Sequence, residues 1–442
     1  MALNRNIQKI ICFIGIALLF GFSVWKFVYD VRELIHPVND LIAQWGSSKV
    51  FLEGKNPYDD HEDLVRIWET TENNSFKEYN EAYFLAQFPT VYPPTALLLH
   101  APLALLPWRT AVYTNLVGST VLFVAMILLL AQKLQFPWSN PRKLFFVAFA
   151  LSLAPLHTGI HQSNISTLTV ALLGLGLLNL TKRPYLSGVA LAVVVCMKPQ
   201  VGFLFILYPW LRRKWKTAWT GMAACAMLSA ATLLWLRIHG VDGIRAYLSS
   251  MGNMSTLGSS VFSFYAPGPD KFKLVNLQVL VYQFIHDPHA SNLITWAVFL
   301  ILAMVSAYLI YTRVSEKNES IGIATVSVLT LLPVYQRIYT ATILIFVLYW
   351  AIENWQLKRA KVVPLLMLPL LFPLVAMTRV GALARFVEEH HLSSNPLWNM
   401  AVMPHIIWIE LILLAILLTV LYGTKAIARK SVAESATPHP EG

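Results

Sequence analysis

Runs of apolar residues close to 20 long recur from Ile10 to Glu410 and beyond, leaving almost no stretch for a separate soluble domain. A hydrocarbon core about 30 Å thick needs roughly 20 apolar residues per helical span, because each span must satisfy its own backbone hydrogen bonds. The composition agrees, with 56% hydrophobic and 13% charged residues and a mean hydropathy of +0.56. These features describe an all-α polytopic membrane protein.

The net charge of +11 does not point to nucleic acid here, because the basic residues sit in short clusters between apolar runs. Such clusters mark cytoplasmic loops. They include Lys133 with Arg142 and Lys143, Lys182-Arg183, Arg212-Arg213-Lys214, Arg313 with Lys317, Lys358-Arg359 and Lys425 with Arg429-Lys430. Placing all of them and the N-terminus inside gives about 12 membrane helices. The N-terminal run lacks a small-residue cleavage site and is read as a first membrane helix, not a signal peptide.

Residues 1–430 read as one integral-membrane domain. It carries a first outer loop at 29–92 and a second at 237–290, and a disordered cytoplasmic tail follows at 431–442. For the charge pattern to hold, the proline-broken run at 91–107 must enter and leave on one side as a re-entrant or interfacial hairpin. A true span would invert the loops after it. Cys12, Cys196 and Cys225 all lie within apolar runs, so no disulfide framework is expected.

The polar constellations fall on the outer side of this topology. Asp40 precedes an apolar set from Leu41 to Leu52 that ends at Gly54, which reads as an amphipathic helix on the membrane surface. Two roles fit Asp40, an N-terminal cap and a carboxylate available as general base. Asp59, Asp60, His61, Glu62 and Asp63 have ligand chemistry for a divalent cation, but their spacing matches no defined metal loop. A solvated loop is expected there, with no metal site and no cofactor.

Around residue 160 the chain reads HTGIHQSN, placing His157, His161, Gln162 and Asn164 at the head of a membrane helix. Capping by Ser163 or Asn164 accounts for only part of that cluster. Lys198 beside Pro199 interrupts an apolar region, where an isolated cation faces a cavity, an anionic partner or the interface. Tyr335, Gln336, Arg337 and Tyr339 interrupt another. Arg337 offers a planar donor fork for phosphate, and the tyrosines suit a sugar ring or the interfacial belt. Asn276 and Gln278 lie where the second loop returns to the membrane.

Taken in order, Asp40, FLEG at 51–54, NPYD at 56–59, YPPTALLLHAPLALLP, HQSN, the Lys198-Pro199 step and PVYQRIY resemble the family-87 glycosyltransferases. The likeness runs from about residue 10 to residue 350. It implies the C-type glycosyltransferase fold and transfer from a polyprenyl-phosphate-linked sugar to a lipid or glycan acceptor, as in α-1,2-mannosyltransferases that use polyprenyl-phosphate mannose. By the resemblance Asp40 is the expected catalytic base. Gln162, Asn164 and Lys198 match the pattern, as do Tyr335, Arg337 and Tyr339.

His161 departs from a usual Gly, Gln336 from a His and Thr340 from an Asp, so any proton relay through the histidine is in doubt. The expected site is therefore Asp40 as base. Arg337 and Lys198 meet the phosphate, and Gln162, Asn164, His161, Gln336, Asn276 and Gln278 surround the sugar with Tyr335 and Tyr339. The expected setting is a multi-pass protein of the bacterial inner membrane with an extracytoplasmic site. A transporter or flippase of lipid-linked sugars, or a relative that binds polyprenyl lipids without catalysis, is the competing reading.

Overall fold

The computed structural model describes residues 5–33, 40–58, 90–256, 264–265, 272–354, 362–376, 386, 389–392 and 395–424. Asn39, the acidic run at 59–63 and the tail at 431–442 lie outside them.

The described chain is helical throughout. Its helices are α1 (Arg5–Glu33), α2 (Leu41–Leu52), α3 (Pro94–Ala104), α4 (Trp108–Lys133), α5 (Pro141–Leu151), α6 (Ala154–His161), α7 (Ser166–Leu178), α8 (Pro184–Met197) and α9 (Pro199–Leu211). They continue as α10 (Trp215–Ile238), α11 (Gly243–Thr256), α12 (Leu277–Ile285), α13 (Pro288–Arg313), α14 (Glu319–Leu331), α15 (Ile345–Glu353), α16 (Val362–Leu371), α17 (Pro373–Ala376) and α18 (His405–Gly423). A 3₁₀ stretch, Ile338–Leu344, leads into α15. Proline opens α3, α5, α8, α9 and α13, where its missing N–H costs nothing. Asn140 and Asp287 cap α5 and α13, accepting from Arg142 N at 3.0 Å and Ala290 N at 2.7 Å.

Among the described residues, six stretches are long and apolar enough to cross a membrane: Cys12–Arg32, Trp108–Lys133, Pro141–His161, Trp215–Ile238, Pro288–Arg313 and His405–Gly423. Shorter apolar helices fill in between them. Gly202 packs so closely on α8 that a Cβ there would lie 2.7 Å from the N and Cα of Val195. Residues seven apart touch only if the chain reverses, so α8 and α9 form a hairpin whose turn is Lys198.

Among the described residues, the basic loops share one end of the bundle; Lys358-Arg359 and Lys425 with Arg429-Lys430 lie outside those residues. Lys133 Nζ donates to Leu178 O at 3.1 Å, Lys214 to Thr181 at 3.2 Å, Arg212 to Glu319 at 3.2 Å and Arg313 to Thr424 O at 2.7 Å. Lys214 also pairs with Glu316, and that hydrogen bond holds the Glu316 carboxyl below its ordinary range. The turn of the α8–α9 hairpin lies at the opposite end, together with Asp40, Asn164 and Arg337.

α3 stays at that second end. Thr95 donates to Cys196 O at 2.8 Å near its start, and Trp45 of α2 donates to Leu106 O at 3.1 Å just past its close. Its 11 residues extend about 16 Å, roughly half the hydrocarbon thickness.

α2 differs from the surface helix its sequence implies. Leu41, Ile42, Gln44, Trp45, Ser47, Ser48, Val50 and Phe51 are all buried. The reason is that α2 has neighbours on two sides: Trp45 packs edge-on against Trp108, while Phe51 packs against Trp235 of α10 and accepts its indole N–H at 3.0 Å.

Candidate active site

Asp40 does not cap α2. Its backbone is already helical, with φ −64° and ψ −20°, and its side chain makes no capping hydrogen bond. A capping side chain reaches the first free N–H groups from extended backbone, which Asp40 lacks. Instead its own N–H donates to Gln162 O at 2.9 Å, and its Oδ2 accepts from Asn164 Nδ2 at 2.7 Å. The carboxylate is held by the turn that follows α6.

That turn is shaped by Ser163, a non-glycine residue in the left-handed region at φ +46°. Asn164 N returns to Gly159 O at 2.8 Å, and Asn115 Nδ2 supports the turn through Ser163 O at 3.1 Å. Asn164 then divides its side chain between two tasks. Its Oδ1 accepts from Ser166 N at 2.8 Å and Ser166 Oγ at 2.6 Å, which opens α7, and its amide is left to face Asp40.

Lys198 sits beneath this arrangement, only 5% exposed. Its Nζ donates to Ser166 Oγ, to Asn164 Oδ1 at 3.4 Å and to Thr340 Oγ1 at 3.4 Å, and it lies 4.7 Å from the Tyr339 ring centre. Three acceptors engage its three N–H bonds. Arg337 is the more open cation. Its Nη1 lies 3.9 Å from Asp40 Oδ1, with the side chains of Arg337 and Asp40 19% and 23% exposed. Its backbone is extended and bridges to Leu274, and Val275 N donates to the neighbouring Gln336 O at 2.8 Å.

Among the described residues, the charged groups acting on one another here are Asp40, Lys198 and Arg337. The phenols of Tyr92, Tyr335 and Tyr339 are within electrostatic reach of Asp40.

The other expected site residues are placed differently. Gln162 meets Asp40 through its backbone carbonyl. Gln336 is buried and turned toward α9, donating to Gln200 O at 3.2 Å. His161 lies beside Asp30 of α1, with Nδ1 3.7 Å from Oδ1. Asn276 donates to Gln278, and Gln278 to Asn292 of α13, while the buried Asn276 Oδ1 has no hydrogen-bond partner among the described residues.

Ser166 and Tyr92 join the site without having stood out in the sequence. So does a polar stripe on α2: Gln44, Ser47 and Ser48 follow Asp40 at four, seven and eight residues, which is one helix face. All three are buried; among the described residues the Ser47 and Ser48 hydroxyls make no hydrogen bond, and the Gln44 amide faces the Tyr92 phenol. Helical periodicity counted from Asp40 would have found them, and Tyr92 opens the YPPTALLLHAPLALLP segment that carries part of the resemblance.

A carboxylate oriented by an amide, with a guanidinium beside it, can accept a proton next to a bound anion. The sequence pattern of glycosyltransferase family 87 matches residues 90–334, more than half of the chain. The matched span includes Asn164 and Lys198, while Asp40 and Arg337 flank it. No curated protein matches the chain. With a family match of that extent over an all-helical membrane bundle, the chain belongs to glycosyltransferase family 87.

Proposed function

We propose that the protein transfers a sugar, a mannose-like hexose or a pentose, from a polyprenyl-phosphate donor to a lipid or glycan hydroxyl, with inversion. The observation that carries this reading is the pairing of a capping-free, partly exposed Asp40 with the Arg337 guanidinium 3.9 Å away. Asp40 takes the proton of the acceptor hydroxyl as its oxygen forms a bond to the anomeric carbon. The bond from that carbon to the phosphate oxygen breaks, and polyprenyl phosphate leaves with the electron pair. Arg337 meets the leaving phosphate through its donor fork.

Lys198 acts chiefly through Asn164, since its hydrogens are spent on Ser166, Asn164 and Thr340, and it adds positive field to the phosphate side. Gln162, Tyr335 and Tyr339 line the sugar path, with Asn276, Gln278, His161 and Gln336 holding the walls behind it. The bundle is a C-type glycosyltransferase fold of about 12 spans, with α3 as a re-entrant element. The end carrying the basic loops is cytoplasmic and the Asp40 end faces out. Nucleotide sugars are confined to the cytoplasm, so a donor used at the outer end arrives on a lipid.

The test supplies purified protein with radiolabelled polyprenyl-phosphate mannose, glucose or arabinose and a lipid extract as acceptor, alongside Asp40→Asn and Arg337→Ala. Transfer by the native chain and its loss in Asp40→Asn are expected. Undiminished transfer by Asp40→Asn removes Asp40 as base, and no transfer with any donor removes the enzymatic reading.

A further inference from the structure

The His157 ring lies between two oxygens. Its Nδ1 is 3.0 Å from Asp30 Oδ2 and its Nε2 is 2.9 Å from Leu151 O. The backbone carbonyl only accepts, so Nε2–H donates to Leu151 O, and Nδ1 shares a hydrogen with the Asp30 carboxyl. Lys26 bonds to the other oxygen of Asp30, and His161 stands 3.7 Å from it. Asp30 is fully buried and His157 almost so, which makes the cluster a desolvated ion group that loses much when one partner is removed.

The eight residues from His157 to Asn164 therefore grip two acids of the same chain. His157 holds Asp30 near the end of α1, with His161 standing 3.7 Å from the same acid, and Gln162 and Asn164 hold Asp40 ten residues later. The two grips form one rigid piece. Gln162 N, Ser163 N and Asn164 N bond back to Thr158, Ile160 and Gly159 of α6 at 3.0, 2.9 and 2.8 Å. A Cβ at Gly159 would lie 2.9 Å from Thr167 Oγ1, so α6 also lies close against α7. Displacing His157 turns α6, and with it the amide that aims Asp40.

We propose that Asp30 and His157 form an ionic clamp whose work is to position Asp40, making them positioning residues of the transfer reaction. The proposal rests on Asp40 being the base. A clamp serving only to pack α1 onto the bundle is the alternative. α1 has other ties, since Ser23 donates to Leu151 O and Ser152 to Leu19 O, each at 2.9 Å. These keep α1 in place when the clamp is removed.

The test compares wild type with Asp30→Ala and Asp30→Asn in lipid nanodiscs. The readouts are kcat, donor KM and the rate at which a carbodiimide modifies Asp40, located by peptide mass spectrometry, with Asn164→Ala as the reference for a loosened Asp40. In Asp30→Ala, kcat is expected to fall about tenfold or more while donor KM stays within about threefold, because aim is lost and binding is not. Asp40 modification is expected to quicken toward the Asn164→Ala rate, with Asp30→Asn intermediate in both readouts.

Unchanged kcat and unchanged Asp40 reactivity overturn the proposal. So does a fall in which KM rises in parallel and Asp40 reactivity is unmoved. If Asp30→Ala does not fold, Asp30→Asn carries the same comparison. If the native chain transfers no sugar, the proposed function fails, and Asp40 modification still decides the clamp.

Discussion

Asn164→Asp exchanges one NH2 for an oxygen and leaves the shape of the side chain unchanged. In the native chain that nitrogen donates to Asp40 Oδ2 at 2.7 Å, so the variant sets two acceptors against each other where a donor and an acceptor stood. A hydrogen bond to a charged group is worth about 1.5–3 kcal/mol, which alone corresponds to roughly ten- to 150-fold in rate. Two carboxylates about 3 Å apart add a repulsion of about 5 kcal/mol at an effective dielectric constant near 20. Lys198 Nζ, 3.4 Å from Asn164 Oδ1, offsets part of this and keeps the fold intact. The variant is therefore expected to unfold within a few degrees of wild type while kcat falls by about two orders of magnitude at saturating donor. The assay is steady-state transfer from radiolabelled polyprenyl-phosphate sugar in liposomes, with thermal unfolding measured in parallel. A kcat within about threefold of wild type, in a variant that unfolds normally, would show that Asn164 does not hold the reacting carboxylate.

Arg337→Lys keeps the charge beside Asp40 and loses the fork, so donor turnover should drop about tenfold and Arg337→Ala further; equal activity of all three would remove Arg337 from the phosphate. Gly202→Ala places a methyl 2.7 Å from the Val195 backbone, and the hairpin must open, costing about 1–3 kcal/mol. A lowered unfolding temperature checks this, and an unchanged one would mean that α8 and α9 are farther apart. Glu410 of α18 is fully buried, and neither carboxyl oxygen has a hydrogen-bond partner among the described residues. Glu410→Leu should stabilise the protein by roughly 1–3 kcal/mol in nanodiscs, and a lowered unfolding temperature would mean that the acid has a partner in the membrane.

Lys198 and Arg337 are visible because each interrupts an apolar run, where a polar group is expensive, Asn164 because it sits in a polar cluster at the head of a membrane helix, and Asp40 because it heads a helix in the first outer loop. Their meeting was not visible. Asn164 is 124 residues from Asp40, and Lys198 is 34 from Asn164 and 142 from Thr340. His161 reads as a substrate ligand, and His157 as part of the same polar cluster, only while Asp30 is taken as one more residue of the first outer loop. The fold brings that acid to them and assigns them to it instead. α2 reads as a surface helix because its apolar residues are loosely periodic, and it is buried because α3, α4 and α10 supply cover on more than one side.

By itself the sequence determined the membrane-embedded helical class, the grouping of the basic loops at one end and the polar interruptions at the other. Those features follow from hydrophobic length and local charge, which are read along one dimension. Only the tertiary structure decided that Asp40 answers to Asn164 and not to its own helix, that Lys198 spends its hydrogens on neighbours, and that the histidines serve Asp30. A side chain's role is set by the acceptor or donor within about 3 Å of it, and helix packing chooses that partner.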